Sequence, residues 1–429
     1  MRLNHLPDSY PVETSYWASA KEPGNILIGD VQADVVIVGG GLAGLSSAYH
    51  LLKSEPDLRV IVLEAQYFGY GASGRNLGVV AQMVRSEPDL LVHLLGHDEA
   101  QFVVDHQARM LKDFETLLSE EGIDCEYERT NVLLVANSKD MVSELDHLHQ
   151  CHGEFDFPSE RLEPPQVRRR INLETFGGLR CGRHGYVNPW LLTRGLADAS
   201  RSAGAVLHEG SAVTGLSKTA NGVVVRTTSG SVTASWCVLA TNAFLPSLAT
   251  GVKWFNPAYT YVIATQVLNH SQLEELNWDV SNRIVLDAGK FGSYYYMQIG
   301  TKNQLMVGGG GRAPSTDGIN FAPHDNPSEF RRIHKEMMKR FPFLTDVEIV
   351  SAWGGPVAMT ETSLPITAVV EDRVIVNAGY NARGVLMGSM SGPVVMGAVL
   401  GRNRANDDYT RYANDLLKIR VHEVNVGWS

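Results

Sequence analysis

The sequence predicts an α/β fold in which a doubly wound, Rossmann-like domain is interleaved with an α+β domain built on an antiparallel sheet. Three observations predict it. The β-branched run Val35-Val36-Ile37-Val38 ends in Gly39-Gly40-Gly41 and passes into apolar residues at helical spacing from Leu42 to Leu52. A second strand, Arg59 to Leu63, comes next and ends in an acid, Glu64. Such a β-α-β unit makes the right-handed crossover of a parallel sheet. Between 293 and 310, by contrast, two strand-like runs flank the turn Gly300-Thr301-Lys302-Asn303, the pattern of an antiparallel hairpin.

The elements can be placed in order around these anchors. Residues 1–29 form a polar arm interrupted by Pro7, Pro11 and Pro23, and are expected to be extended. After the β-α-β unit, helical patterns fill 97–121 and 327–340. Further strands are expected at Val223 to Thr227, Val232 to Ala240, Tyr294 to Ile299, Gln304 to Val307 and Arg373 to Ala378, the last running into a helix. Parallel and hairpin signals alternate in blocks, so the chain is expected to weave between domains. The Rossmann-like domain takes 30–85, 180–255 and 350–405, the second domain 86–179 and 256–349, and 406–429 form a C-terminal tail.

Composition narrows the function. The chain of 429 residues is 44% hydrophobic and 20% charged, ordinary globular usage that excludes a disordered or collagen-like protein. A net charge of −10 repels polyanions, which argues against a nucleic-acid partner. Four cysteines without a C-x-x-C pair read as free thiols of a reducing compartment. With no secretory leader pattern and no apolar run long enough to span a bilayer, the expectation is a cytoplasmic protein with no membrane partner. The oligomeric state is not legible.

Gly39-x-Gly41-x-x-Gly44 lies at a strand end and a helix start, where a dinucleotide fingerprint belongs. Gly39 permits the tight turn, Gly41 lets the backbone approach a pyrophosphate, and Gly44 lets helix and strand pack closely. The N–H groups of the helix start, at Leu42 and Ala43, favour the phosphate charge. Glu64, twenty residues beyond Gly44, is placed to accept hydrogen bonds from ribose hydroxyls. These residues suit NAD and FAD alike, and the segment after Glu64 bears on the choice. A second glycine-rich loop, Gly69 to Gly78, offers backbone donors and one cation, Arg75, to a long diphosphate cofactor.

With this loop the chain resembles the D-amino-acid-oxidase-like superfamily of FAD enzymes, the family of glycine, sarcosine and gamma-glutamylputrescine oxidases. The resemblance covers most of the chain. It is carried by Asp34 to Glu64, Gly71-Ala72-Ser73-Gly74-Arg75-Asn76, Val238 to Ala243, Trp353-Gly354-Gly355 and Ala378 to Val385. Ser15-Tyr16-Trp17 in the arm is similar to the gamma-glutamylputrescine oxidase-like branch. The resemblance implies an FAD-binding domain of the GR2 type. It implies that Ala72, Ser73, Arg75, Asn76 and Leu77 line the pyrophosphate and flavin, that the Val213 backbone meets the adenine, and that Thr241 lies beside the cofactor. Asn381, Arg383, Gly384 and Val385 would face the flavin pyrimidine, with the helix that begins there presenting its positive end. Relatives of the sarcosine oxidase type tether flavin to a cysteine after the Trp-Gly-Gly motif; here Thr360 to Pro365 contains none, so the expected FAD is noncovalent.

Hydride transfer to a flavin requires mainly that the donor carbon be positioned, water excluded and the amine kept unprotonated. Candidates lie on the strand Ser293 to Gln298, where Tyr294, Tyr296 and Gln298 share one face and Tyr295 and Met297 the other. Either face is able to line the cavity. Glycine oxidase resembles a Tyr-x-x-x-Arg pattern here, and Gln298 in place of arginine departs from it. Arg312 and Arg383 are candidate anchors for an anionic group, and Trp353 a candidate for the flavin edge. Lys302 reads as a solvated turn residue. The His147-x-His149-x-Cys151-His152 run lacks a second ligand pair, and His93 and His97 lack the Glu of an H-E-x-x-H site, so no metal is expected.

The leading expectation is an FAD-dependent oxidase of an amine or N-substituted amino acid, polyamine derivatives included, with O2 as electron acceptor. The competing one keeps the fold but makes the enzyme a 2-hydroxy-acid or amine dehydrogenase with a different acceptor.

Overall fold

The computed structural model describes residues 6, 9–18, 24–82, 87–220, 222–248, 256–289, 296–312, 326–360 and 364–402, with the backbone alone at 87–88, 247, 256–257, 296–298 and 311–312. Two sheets dominate. The first runs in the order Ile366–Glu371, Val374–Ala378, Gly230–Leu239, Gly29–Val38, Val60–Leu63, Val206–His208, and carries a hairpin of Val213–Thr219 with Gly222–Thr227. Its central pairings, Val36 with Cys237 and Ile61, and Val238 with Ile375, are parallel. Val35 to Val38 are all buried, the continuous apolar run of a strand covered on both faces. The helix Leu42–Ser54 packs on one face, burying Leu45, Ala48, Leu51 and Leu52, while Val223, Val225 and Val232 close the other.

The second sheet runs Ile349–Met359, Asn256–Val267, Gln304–Arg312, Tyr296–Ile299, Ile284–Asp287, Glu128–Val135, Gly178–Tyr186, Val79–Ala81. Its pairings are antiparallel except that Ile284–Asp287 lies parallel to Glu128–Val135. The expected hairpin is present: Asn303 at its turn has a φ of 58°, and Gly300 N–H donates to the Gln304 carbonyl at 2.9 Å. Gly178–Tyr186 and Ile349–Met359 join this sheet, whereas the sequence boundaries at 180 and 350 set them with the first domain. Both lie where the chain passes from one sheet to the other, and a period-two pattern does not say which sheet a strand joins.

The arm runs along the outer edge of the second sheet. Val12 bridges Ala352 in parallel, the Ala352 N–H donates to the Pro11 carbonyl at 2.8 Å, and the Glu13 N–H donates to the Ala352 carbonyl at 2.9 Å. Behind that sheet the helix Pro327–Arg340 buries Phe330, Ile333 and Met337. Its last residue, Arg340, makes two 2.6 Å bonds to Asp287 with both side chains almost fully buried. Arg340 Nε also donates to Glu336 at 3.1 Å, so Asp287→Ala takes away two of its charged bonds and leaves the third; the expected loss is about 1.5–3 kcal/mol, read as a lowered urea midpoint with unchanged slope.

Candidate active site

A cavity of about 640 Å³ opens at the carboxyl ends of Gly29–Val38 and Gly230–Leu239, beneath Thr260, Tyr261, Val262, Gly308 and Gly309 of the second sheet. This is the position that open α/β sheets reserve for ligands. Its floor depends on small residues. Gly39 holds a φ of 112°, and a Cβ there would stand 2.7 Å from the Ala240 carbonyl oxygen. A Cβ on Gly44 would meet the Gly39 carbonyl oxygen at 2.0 Å, and one on Gly41 the Ser73 hydroxyl at 2.7 Å. The helix start carries no side-chain cap of its own; the Leu42 N–H donates to Ser73 Oγ at 3.0 Å.

Glu64 closes one end. Its carboxylate accepts from the Gly40 N–H at 2.8 Å and the Gln66 N–H at 3.0 Å. Burial pushes its pKa up, against the pull of those donors, and the neighbouring Glu209 pushes the same way. Burial would raise Glu209 as well, but donors from Phe68, Gly24 and Arg194 outweigh it and hold that carboxyl below its ordinary range.

Arg75 lies in the wall of the cavity with only 6% of its surface exposed. Its Nε donates to the Tyr70 carbonyl at 2.7 Å and its Nη1 to the Gly354 carbonyl at 3.0 Å, and the guanidinium stands 4.5 Å over the Tyr70 ring. Among the described residues no carboxylate pairs with it. Across the cavity Thr241 Oγ1 is buried without a hydrogen-bond partner among the described residues. Gly379, Asn381 and Ala382 turn the chain through positive φ angles of 79°, 51° and 63°, and the Asn381 amide ties this turn to Thr360 and the Gly379 carbonyl.

A glycine-lined approach to a helix start, an acid at the end of the second strand, a buried cation and an orphaned hydroxyl fit a long diphosphate cofactor. The match to known families decides which one: residues 34–396 match the FAD dependent oxidoreductase family, DAO. The chain belongs to the DAO family. This DAO-family chain is 29% identical to the gamma-glutamylputrescine oxidoreductase of Escherichia coli K12, over 89% of its own length and 88% of the relative's. Its fold is similar to that of glycine oxidase from Geobacillus kaustophilus, with a TM-score of 0.72 and 23% identity, covering 88% of this chain and 97% of that one. L-proline dehydrogenase from P. horikoshii is similar to the same degree, with a TM-score of 0.72 and 20% identity over 91% and 99% of the two chains. As in the rest of the family, the cofactor is FAD, and the chain is an oxidoreductase.

Most of the expected cofactor positions line the cavity: Gly39, Gly41, Leu42 and Ala43 in the first turn; Glu64; Ala72, Ser73, Arg75, Asn76 and Leu77 in the second loop; and Val213, Thr241, Asn381, Gly384 and Val385. Three others stand behind the wall. Gly44 is packed against Gly39, and Arg383 precedes the short helix Gly384–Ser389 with its side chain buried off the cavity surface. Trp353, expected at the flavin edge, is 1% exposed and sits one layer back, donating from Nε1 to the Arg75 carbonyl at 2.8 Å. Tyr294 lies outside the described residues. Tyr296 and Gln298 lie on the strand Tyr296–Ile299 opposite Gly308 and Met306, and Arg312 ends its strand opposite Tyr259; at these three positions the backbone alone is described.

Sequence reasoning missed the roof. Tyr261, whose hydroxyl accepts from Asn326 Nδ2 at 3.2 Å, has its pKa raised by burial and stays a neutral phenol. The available signal was the β-forming run Ala258 to Thr265. Lys302 is exposed on its turn, and among the described residues no helix is long and apolar enough to cross a membrane. His147 and Cys151 meet Asp89, a partner from the helix Glu87–Leu95 that spacing could not reveal. The Cys151 thiol donates to Asp89 at 3.1 Å, and burial with that carboxylate pushes it up to about 12, which disfavours a thiolate ligand. His152 is a buried core residue against Phe157, pushed down to about 4 by burial.

The tightest element of the site gives a direct test. Gly44→Ala forces either the helix or the strand end to move, so the purified protein is expected to lose bound FAD and to unfold at a lower temperature; absorbance at 450 nm and thermal unfolding read the two effects separately.

Proposed function

We propose that this chain is an FAD-dependent oxidase of an amine or N-substituted amino acid, with polyamine derivatives first among the substrates. Bound FAD supplies the hydride acceptor and, through O2, the route of two electrons to hydrogen peroxide. The substrate loses a hydride from the carbon beside nitrogen and a proton from nitrogen; the imine left behind takes up water and splits into a carbonyl compound and an amine.

The observation that carries this reading is the buried guanidinium of Arg75 in the cavity wall, held by two carbonyls. A positive charge in a site of low polarity disfavours a second one, so an amine bound near it is held in its neutral form with its lone pair available. Tyr261, neutral through burial, offers a hydroxyl rather than a phenolate. Glu64 and Arg75 are the ionisable side chains other than tyrosine among the described lining residues, and Glu64 is engaged by backbone donors at the far end. We take Glu64 to hold the ribose, the first turn and second loop to hold the pyrophosphate and flavin, and Val213 to meet the adenine. The FAD of this reading is noncovalent: Cys125, Cys151, Cys181 and Cys237 are buried and none lines the cavity. The name of the Escherichia coli relative supports a polyamine-derived substrate, and the fold of glycine oxidase an amino-acid-sized one.

Anaerobic mixing of the purified flavoprotein with polyamines, N-substituted amino acids, primary amino acids and 2-hydroxy acids, followed by air, tests the reading. Bleaching by an amine with rapid recolouring and peroxide is expected. Bleaching by hydroxy acids alone, or an amine-bleached flavin that stays colourless in air, overturns it in favour of a dehydrogenase. Because only the neutral amine reacts, flavin reduction should speed up as pH rises, with an apparent pKa below that of the free amine; stopped-flow reduction against pH checks the sign. Glu64→Gln removes one charged acceptor, worth about 1.5–3 kcal/mol in a typical charged hydrogen bond, so the Kd for FAD should rise by roughly tenfold or more while far-ultraviolet circular dichroism stays unchanged.

A further inference from the structure

Three successive carbonyls of the second loop are held from one side. The Gly74 carbonyl accepts from Ser15 Oγ at 2.6 Å, the Arg75 carbonyl from Trp353 Nε1 at 2.8 Å, and the Asn76 carbonyl from Trp17 Nε1 at 2.9 Å. The three donors form one cluster, because Ser15 and Trp17 flank Tyr16 in the arm and the Tyr16 ring is stacked on Trp353 at 6.0 Å. No peptide bond among the described residues is cis. In a trans peptide the carbonyl of one residue and the N–H of the next point in opposite directions. Pinning these carbonyls toward the arm therefore turns the N–H groups of Arg75, Asn76 and Leu77 away from it, and these three residues line the cavity.

The Arg75 N–H is spent on closing the short turn to the Ala72 carbonyl, at 3.4 Å. The other two are not. Among the described residues the N–H groups of Asn76 and Leu77 donate to no acceptor within the chain. A backbone donor at a cavity wall that is not used within the chain is available to a ligand that supplies the acceptor. The Asn76 side chain does not compete for the space: its Nδ2 donates to the Ala72 and Ser73 carbonyls and its Oδ1 accepts from Gly78 N–H. The pair stands on the side of the second sheet, where Leu77 approaches Gly308, with the Arg75 cation next in the chain.

We propose that Ser15 and Trp17 are positioning residues for the redox centre: through the Gly74 and Asn76 carbonyls they aim the Asn76 and Leu77 N–H groups at the flavin ring system, where the donors stabilise the negative charge of the two-electron-reduced state. This rests on the reading that FAD binds in this cavity with its ring beside the second loop. Fixed dipoles aimed at developing charge in a site that excludes water cost no reorganisation when the charge arrives. The arm is thereby part of the flavin's electrostatic environment, although neither Ser15 nor Trp17 lines the cavity.

The test uses holoprotein and a readout other than turnover, the two-electron midpoint potential measured by dye equilibration. Trp17→Phe keeps an aromatic ring but removes the Nε1 donor, and Ser15→Ala removes the hydroxyl. Each is expected to lower the potential, and the double variant by the equivalent of roughly tenfold in the preference for reduced over oxidised flavin, about 30 mV for a two-electron couple. Tyr16→Phe is the control, because Tyr16 bonds to Gln304 and not to the loop; its potential should match that of the unaltered protein. If Trp17→Phe does not fold, Ser15→Ala carries the test. An unchanged potential in folded, FAD-loaded Ser15→Ala and Trp17→Phe overturns the proposal, as does an equal shift in Tyr16→Phe. Should the unaltered protein bind no FAD, the reading of the cavity fails first, and that result is separate from a normal flavoprotein whose potential ignores the arm.

Discussion

The helix Leu42–Ser54 begins so close to the end of its own strand that a Cβ on Gly44 would stand 2.0 Å from the Gly39 carbonyl oxygen. That approach fixes where the helix can start, and the start fixes which N–H groups face the cavity. The rest of the site is arranged around the same turn. Ser73 reaches in to accept from the Leu42 N–H, which ties the second loop to the first, and Glu64 accepts from the Gly40 N–H, which ties the second strand to it. A displacement at Gly44 would therefore move the turn, the acid and the loop together.

From the second loop the same logic extends to the other sheet. Arg75 donates to the Gly354 carbonyl and Trp353 donates back to the Arg75 carbonyl, so loop and second-sheet edge hold each other by bonds in both directions. The arm lies over that seam: it bridges Ala352 with its backbone and reaches Gly74 and Asn76 with its side chains. Oxidation of a bound amine needs the dinucleotide crevice of one sheet and the roof of the other in fixed register. These bonds supply that register.

How much was legible in the sequence depends on how local each signal is. The first turn, Glu64 and the loop at 71–77 are contiguous motifs whose steric reasons can be stated from spacing, and the structure gathers them at one cavity. Tyr261 was not legible, because in a strand-forming run nothing distinguishes the residue that meets a cavity from those that meet a core. Trp353 shows the opposite failure. Its motif marks the right place, but the side chain turns away from the cavity to serve a backbone carbonyl, a choice made by packing with Tyr16 from the far end of the chain. Asp89 beside His147 and Cys151 was hidden for the same reason, since a partner from another helix has no fixed spacing.

The cavity offers an anionic dinucleotide several groups that call for a partner. Among the described residues the Thr241 hydroxyl has no partner, two backbone N–H groups have no acceptor and a nearly buried guanidinium faces no carboxylate. A buried hydroxyl or N–H left without a partner costs about 1–3 kcal/mol, and burial disfavours a cation that no anion faces. An anionic dinucleotide relieves these costs only in the folded state, so its binding free energy adds to the stability of the fold. The features that make the site fit for a flavin therefore also make the fold lean on that flavin. The close packing at Gly44 fixes the helix start whose N–H groups face that ligand.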